Sequence, residues 1–62
     1  MSTTTAQITE AFNAFIEEDA KFTEKGNKAA GTRARKALLE LSKLAKARRG
    51  EISEEKAASA ES

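Results

Sequence analysis

The first apolar stripe of the chain predicts a helix over about residues 5–24. Its members fall on one side of a helix, and they are Ile8, Phe12, Phe15, Ile16 and Phe22. Asp19 interrupts this stripe. We expect residues 1–4 to be frayed, with a hydroxyl of Thr4 or Thr5 accepting from the free N–H groups of the first turn as the N-cap.

The second apolar stripe predicts a longer helix over about residues 28–57. Its positions alternate in steps of four and three, as in a coiled-coil seam: Ala34, Leu38, Leu41, Ala45, Arg48 and Ile52. Ala37 and Leu44 widen this seam to one side. Residues 58–62, which are small, polar and acidic, are expected to form a disordered tail.

Gly26-Asn27 is the strongest break between the two stripes. Glycine ends a helix in the left-handed conformation without a Cβ penalty, and asparagine is a good N-cap. The second helix could instead begin at Gly31-Thr32; Ala29 and Ala30 favour the earlier start. The expected fold is therefore all-α, an αα-hairpin that places Phe15 near Leu38.

Two helices of this length cannot enclose three Phe and three Leu side chains. Burying each large apolar side chain is worth about 1.5–3 kcal/mol, so pairing two hairpins into a dimeric four-helix bundle is favourable. We expect a homodimer, with a tetramer as the next possibility. The expected oligomer interface consists of Ile8, Phe12, Phe15, Phe22, Leu38, Leu41, Leu44 and Ala45.

The composition excludes several classes of protein. Neither Cys nor His is present, so a disulfide framework and the usual zinc sites are excluded, and no metal or cofactor is expected. No nucleotide-binding loop or catalytic constellation is visible, so we do not expect an enzyme or a small-molecule substrate. No apolar run could span a bilayer, and the N-terminus does not have the pattern of a secretory signal, so an intracellular protein is expected.

Charge is segregated along the chain. Residues 21–49 hold ten of the eleven Lys and Arg residues against two acids, while both ends are acidic. An ordinary helix surface interleaves both signs, so this excess predicts contact with a nucleic-acid backbone, duplicated in a dimer. The candidate DNA-binding residues are Lys25, Lys28, Thr32, Arg33, Arg35, Lys36, Lys43, Lys46 and Arg49.

The expected recognition is led by phosphate rather than by base sequence. We expect no aromatic side chain to lie among the basic residues, and no helix-turn-helix pattern is present. Asp19 has two interpretations. It could orient Arg33 or Arg35 for phosphate or fix the register of the bundle, or it could be a hydrated residue at the rim of a small core.

The run EKGNKAAGTRARK, Glu24 to Lys36, resembles the N-terminal core of bacterial linker-histone-like proteins of the chlamydial type. The resemblance covers about residues 8–56 and implies a small helical nucleoid protein of the bacterial cytoplasm that compacts DNA without strong sequence preference. Where such proteins often continue into a basic tail, this sequence has the acidic EISEEKAASAES, which directs the expected binding to the helical core. The alternative is a helical assembly module that binds an acidic protein surface.

Overall fold

The computed structural model describes residues 2–59 and shows the predicted helical hairpin. Helix α1 spans Thr3–Lys25 and helix α2 spans Lys28–Ser59, and the two pack against each other along their lengths. The molecule is a rod of 53 × 17 × 13 Å. Within residues 2–59, neither helix has the length and apolarity that a membrane crossing needs.

Helix α1 begins earlier than predicted because Ser2 is its N-cap. The Ser2 hydroxyl oxygen accepts from the backbone N–H of Thr5 at 3.0 Å. Thr4 and Thr5 therefore lie inside the helix, and the prediction that one of them is the cap is wrong. Thr4 instead donates its hydroxyl to Glu51 of α2, which ties the first turn of α1 to the far end of the hairpin.

The turn between the helices has the predicted chemistry. Gly26 adopts φ 64°, and its N–H donates to the Phe22 carbonyl at 3.0 Å. The next amide, that of Asn27, donates to the Lys21 carbonyl at 3.4 Å, which completes the pattern of bonds that often closes a helix. The Asn27 side chain accepts from the N–H of Ala30 at 3.1 Å, so α2 starts at Lys28 and the rival start at Gly31-Thr32 is wrong.

The face of α2 that packs on α1 is rotated from the predicted seam. The residues turned toward α1 are buried or half-buried and recur in steps of four and three: Ala30, Ala34, Ala37, Leu41, Leu44, Arg48 and Glu51. Leu38, Ala45 and Ile52, which we placed in the seam, are exposed. Small residues near the turn let the two helices approach closely, and this rotates the larger Leu38 out of the contact.

The hairpin by itself has almost no core. Among the described residues only Ala30 and Ala34 are buried. Six large apolar side chains in the described part of the chain are about half exposed, among them Phe12, Ile16, Leu38 and Ile52. Phe12 and Ile16 are one turn apart on α1, and Leu38 and Ile52 are close to four turns apart on α2, so each pair shares a side of its helix.

These two pairs form one continuous surface, which we call the apolar face. Asp19 follows Ile16 by three residues on the same side of α1, and it lines one cavity together with Leu38 of α2. The opposite side of the hairpin is polar and carries an ion pair between Glu18 and Arg33. The hairpin is thus amphipathic across its thickness.

Candidate functional site

The outward side of α2, away from α1, carries a row of cations. Four of these cations are separated along the sequence by seven, eleven and three residues, and these spacings place them on one side of the helix: Lys28, Arg35, Lys46 and Arg49. Two further lysines, Lys36 and Lys43, flank this row. Lys25 lies just before the turn, at the end of α1. We call these seven residues the basic face.

The cations of the basic face have no acidic partner in the described part of the chain. Every salt bridge within residues 2–59 involves Lys21, Arg33 or Arg48. Thr32 lies within the row and donates its hydroxyl to the Lys28 carbonyl at 3.4 Å. The basic face therefore presents uncompensated positive charge to solvent, which is the arrangement that attracts a polyanion.

Arg33 is separated from the other candidate residues by the fold. Its Nε donates to Glu18 Oε2 at 2.8 Å across the interface between the two helices. This hydrogen bond, opposed by partial burial, holds the pKa of the Glu18 carboxyl below its usual value, and Lys21 adds a further attraction at 3.6 Å. Arg33 therefore bridges the two helices on the polar side of the hairpin, and the basic face does not include it.

One of the two interpretations of Asp19 places its carboxylate within reach of Arg33 or Arg35. Within one hairpin Arg33 pairs with the neighbouring Glu18 instead, and no ion pair joins Asp19 to Arg35 in residues 2–59. Asp19 is exposed and has neither a salt bridge nor a side-chain hydrogen bond within residues 2–59. It is therefore free to act as an acceptor for something outside the chain.

A shallow cavity of about 340 Å³ lies at the turn end of the apolar face. Its apolar walls come from Phe15, Phe22 and Leu38, and its polar rim from Asp19, Lys28 and Arg35. The prediction that no aromatic side chain lies among the basic residues is therefore wrong. The tight turn brings Phe22 of α1 beside the first turns of α2, where Lys28 and Arg35 belong to the basic face.

Gly31 sets the position of the Phe22 ring. A Cβ at this glycine would lie 2.6 Å from Phe22 Cδ1 and 2.9 Å from Cε1, closer than non-bonded atoms approach. The ring therefore packs directly on the backbone of α2, while 48% of Phe22 stays exposed. An aromatic ring supported on one side and open on another is suited to stacking.

A polar cluster closes the opposite end of the hairpin. Arg48 Nη1 donates to Glu51 at 2.9 Å and to Glu55 at 3.1 Å, while Thr4 of α1 donates to Glu51. The bond from Thr4 and then that from Arg48 lower the pKa of the Glu51 carboxyl. This cluster explains why Arg48 interrupts an apolar seam: its charge is matched by acids three and seven residues farther along the same helix.

Sequence reasoning missed the ion pair between helices and the aromatic cavity. The ion pair could have been predicted, because folding about Gly26-Asn27 sets residue 18 roughly opposite residue 35, two positions from Arg33. The cavity could not have been predicted, because its shape depends on how closely the two helices approach at Gly31.

The predicted oligomer interface falls on two different surfaces. Half of it lies between the two helices of one hairpin: Ile8, Phe15, Leu41 and Leu44 are half-buried. The other half is exposed on the single hairpin: Phe12, Phe22, Leu38 and Ala45. The second group is therefore the more accessible to another molecule.

Comparison with known proteins identifies a family. The family model described as histone H1-like protein Hc1 matches residues 2–58, which include both helices up to the last turn of α2. Histone H1-like proteins of this kind package DNA and are not enzymes. No match was found among curated proteins or among solved structures. Because the match spans nearly the whole hairpin, the chain belongs to the histone H1-like protein Hc1 family.

Proposed function

We propose that the protein is a nucleoid-associated protein that binds duplex DNA without sequence preference, through contacts of the basic face with phosphate. The observation that carries this is the row of cations on α2 that have no acidic partner within residues 2–59, in a chain of a histone H1-like family. Thr32 adds a hydroxyl that can bond a phosphate oxygen. Arg33, although predicted from the sequence to bind DNA, is not part of this surface.

The length of the basic face suits a DNA duplex. From Lys28 to Arg49 the axis of α2 rises about 31 Å at 1.5 Å per residue. One turn of B-DNA rises about 34 Å, so a helix of this length can follow phosphates along one turn. Contacts with phosphate fix position without reading sequence, so the affinity should be similar for unrelated duplexes and should fall steeply with salt.

We also propose that the protein acts as a homodimer formed through the apolar face. A hairpin in which two alanines are the buried residues of the described part of the chain lacks the core that a stable small domain needs. Covering Phe12, Ile16 and Ile52 with the same surface of a second hairpin supplies that core as a four-helix bundle. The basic face lies on the outward side of α2, so it stays accessible in such a dimer and is present twice.

Removal of two cations tests the DNA contact. Lys43→Gln/Lys46→Gln should reduce the slope of log affinity against log salt by about 1.8 if both lysines meet phosphate, since each contact contributes about 0.9. The measurement is fluorescence anisotropy with a labelled duplex of arbitrary sequence, titrated at several salt concentrations.

The matched control is Lys21→Gln/Lys56→Gln, which removes the same net charge outside the basic face. Its slope should equal that of the unaltered protein. Equal losses in the two variants would show that overall charge, rather than this face, governs binding. If the unaltered protein binds no duplex at low salt, the proposal fails and the helical assembly module for an acidic protein surface becomes the better hypothesis.

A further inference from the structure

The cavity at the turn end combines three features that a phosphate-binding surface does not need. It has a half-exposed aromatic ring, Phe22, which packs on Gly31. It has a carboxylate without a partner in the described chain, that of Asp19. Two cations of the basic face, Lys28 and Arg35, stand at its rim. Contacts with duplex phosphates would use the cations and leave the ring and the carboxylate without a role.

We propose that this cavity binds an unpaired nucleobase of a single-stranded nucleic acid, stacked on Phe22, while Lys28 and Arg35 hold the adjoining phosphates. Every nucleobase has a flat face that stacks on an aromatic ring, and such stacking is the usual means of holding single strands. The inference rests on the proposed function for its phosphate contacts and adds a second mode of binding, to single strands, ends or unwound segments.

The size and chemistry of the cavity fit a base better than a larger ligand. A volume of about 340 Å³ is near the lower end of the range of about 300–1,000 Å³ that is typical of small-ligand sites. Its walls are mainly apolar, as a stacked ring requires. Asp19 provides two carboxylate oxygens at the rim, and guanine has two neighbouring N–H donors on its pairing edge, so guanine is the base expected to bind best.

The proposed dimer leaves this end of the apolar face open. Phe12 and Ile16 lie toward the middle of α1, whereas the cavity lies beside the turn. A second hairpin laid over the cavity would have to bury the charges of Asp19, Lys28 and Arg35, which is costly unless each finds a partner. An interface centred on Phe12 and Ile16 avoids this cost.

The test compares two conservative substitutions of half-exposed phenylalanines. Phe22→Leu keeps an apolar side chain but removes the stacking ring, and Phe12→Leu is the matched control on the same face. Affinities are measured by fluorescence anisotropy for a single-stranded thymine oligonucleotide with one central guanine, for an all-thymine oligonucleotide, and for a duplex of equal length. Thermal unfolding by circular dichroism and the mass in solution are recorded for each variant.

We expect Phe22→Leu to weaken single-strand binding by about 5- to 150-fold, the equivalent of losing one stacked base, and to leave duplex binding unchanged. Phe12→Leu should leave the ratio of single-strand to duplex affinity unchanged, because any weakening of the proposed dimer would lower both affinities together. Asp19→Asn should abolish the preference for the guanine oligonucleotide over the all-thymine one; this ratio is independent of the general gain in affinity from removing a negative charge.

Three results would overturn the inference. If Phe22→Leu loses single-strand and duplex binding equally, the ring is only a packing residue. If Phe22→Leu loses no single-strand affinity, no base stacks on the ring. If Phe22→Leu changes the mass of the dimer, the cavity belongs to the dimer interface. The proposed function fails separately. If single-strand binding depends on Phe22 but no duplex is bound, the proposed function fails and the inference about the cavity stands. If a duplex is bound but Phe22 has no role, the inference fails and the proposed function stands.

Discussion

Two glycines of this chain, Gly26 and Gly50, have different structural roles. Gly26 adopts the left-handed conformation, φ 64°, that ends α1 and reverses the chain. Gly50 lies inside α2, where the space around its missing side chain is open. The first position needs glycine because a Cβ is disfavoured at positive φ, whereas the second only weakens the helix.

The same substitution should therefore have opposite effects at these two positions. Gly26→Ala should lower the free energy of unfolding by about 1–2 kcal/mol, the cost of a left-handed residue with a side chain. Gly50→Ala should raise it by about 0.5–1 kcal/mol through better helix propensity. Chemical denaturation followed by circular dichroism at one fixed protein concentration measures both changes. If Gly26→Ala proves neutral, the turn does not have the geometry described.

The two helices are joined by polar contacts at both ends of their interface. Glu18 and Arg33 meet near the turn, and Thr4 and Glu51 meet at the open end. Both carboxylates have a lowered pKa in the folded protein, through the hydrogen bond from Arg33 at Glu18 and mainly that from Thr4 at Glu51. These bonds add to the apolar contact between the helices at the two ends of the interface.

The lowered pKa values predict the direction of the pH dependence. A carboxyl whose pKa is depressed by folding stabilises the protein while it is ionised, above its usual value of 4.5. The midpoint of thermal unfolding should therefore be constant near neutral pH and fall as the pH drops below about 4.5. Glu18→Gln/Glu51→Gln should lower the midpoint at neutral pH and flatten the decline.

Glu10→Gln is the matched control for this experiment, because Glu10 is exposed and makes no salt bridge within residues 2–59. Its pH profile should follow that of the unaltered protein. A double variant at residues 18 and 51 that declines as steeply as the unaltered protein would show that these two contacts do not connect the helices in solution.

The whole molecule is organised as three surfaces around a thin interior. The basic face points away from α1, the apolar face covers one side of both helices, and a polar side carries Glu18 and Arg33. Because these surfaces point in different directions, the proposed contacts with DNA and with a second copy do not compete. Association with a second copy is one of the ways in which small domains gain stability, and the proposed dimer would use it.

The apolar face can be tested by the mass in solution. The unaltered protein should be a dimer, and Phe12→Gln/Ile16→Gln should raise the dissociation constant at least tenfold for each side chain, since burial of each is worth about 1.5 kcal/mol or more. Sedimentation equilibrium measures the change. Leu39→Gln is the control: Leu39 is 58% exposed among basic residues, outside the apolar face, and its substitution should leave the mass unchanged.

A fully helical monomer of the unaltered sequence at micromolar concentration would contradict this arrangement. A tetramer would be consistent with this arrangement and would add a contact between two dimers. The mass measured again with DNA at low salt would show whether that contact persists in the DNA complex.

The two helices, the turn and the segregation of charge follow from the sequence alone. These depend on local chemistry: the helical period of the apolar residues, the left-handed preference of Gly26, the capping oxygen of Asn27 and the scarcity of acids between residues 21 and 49. Which apolar residues face inward depends instead on how the two helices pack. Each helix has more apolar positions than one neighbour can cover, and the close approach at Ala30 and Ala34 rotated Leu38 outward. The same approach placed Phe22 on Gly31 beside the basic face, because that contact joins residues of two different helices.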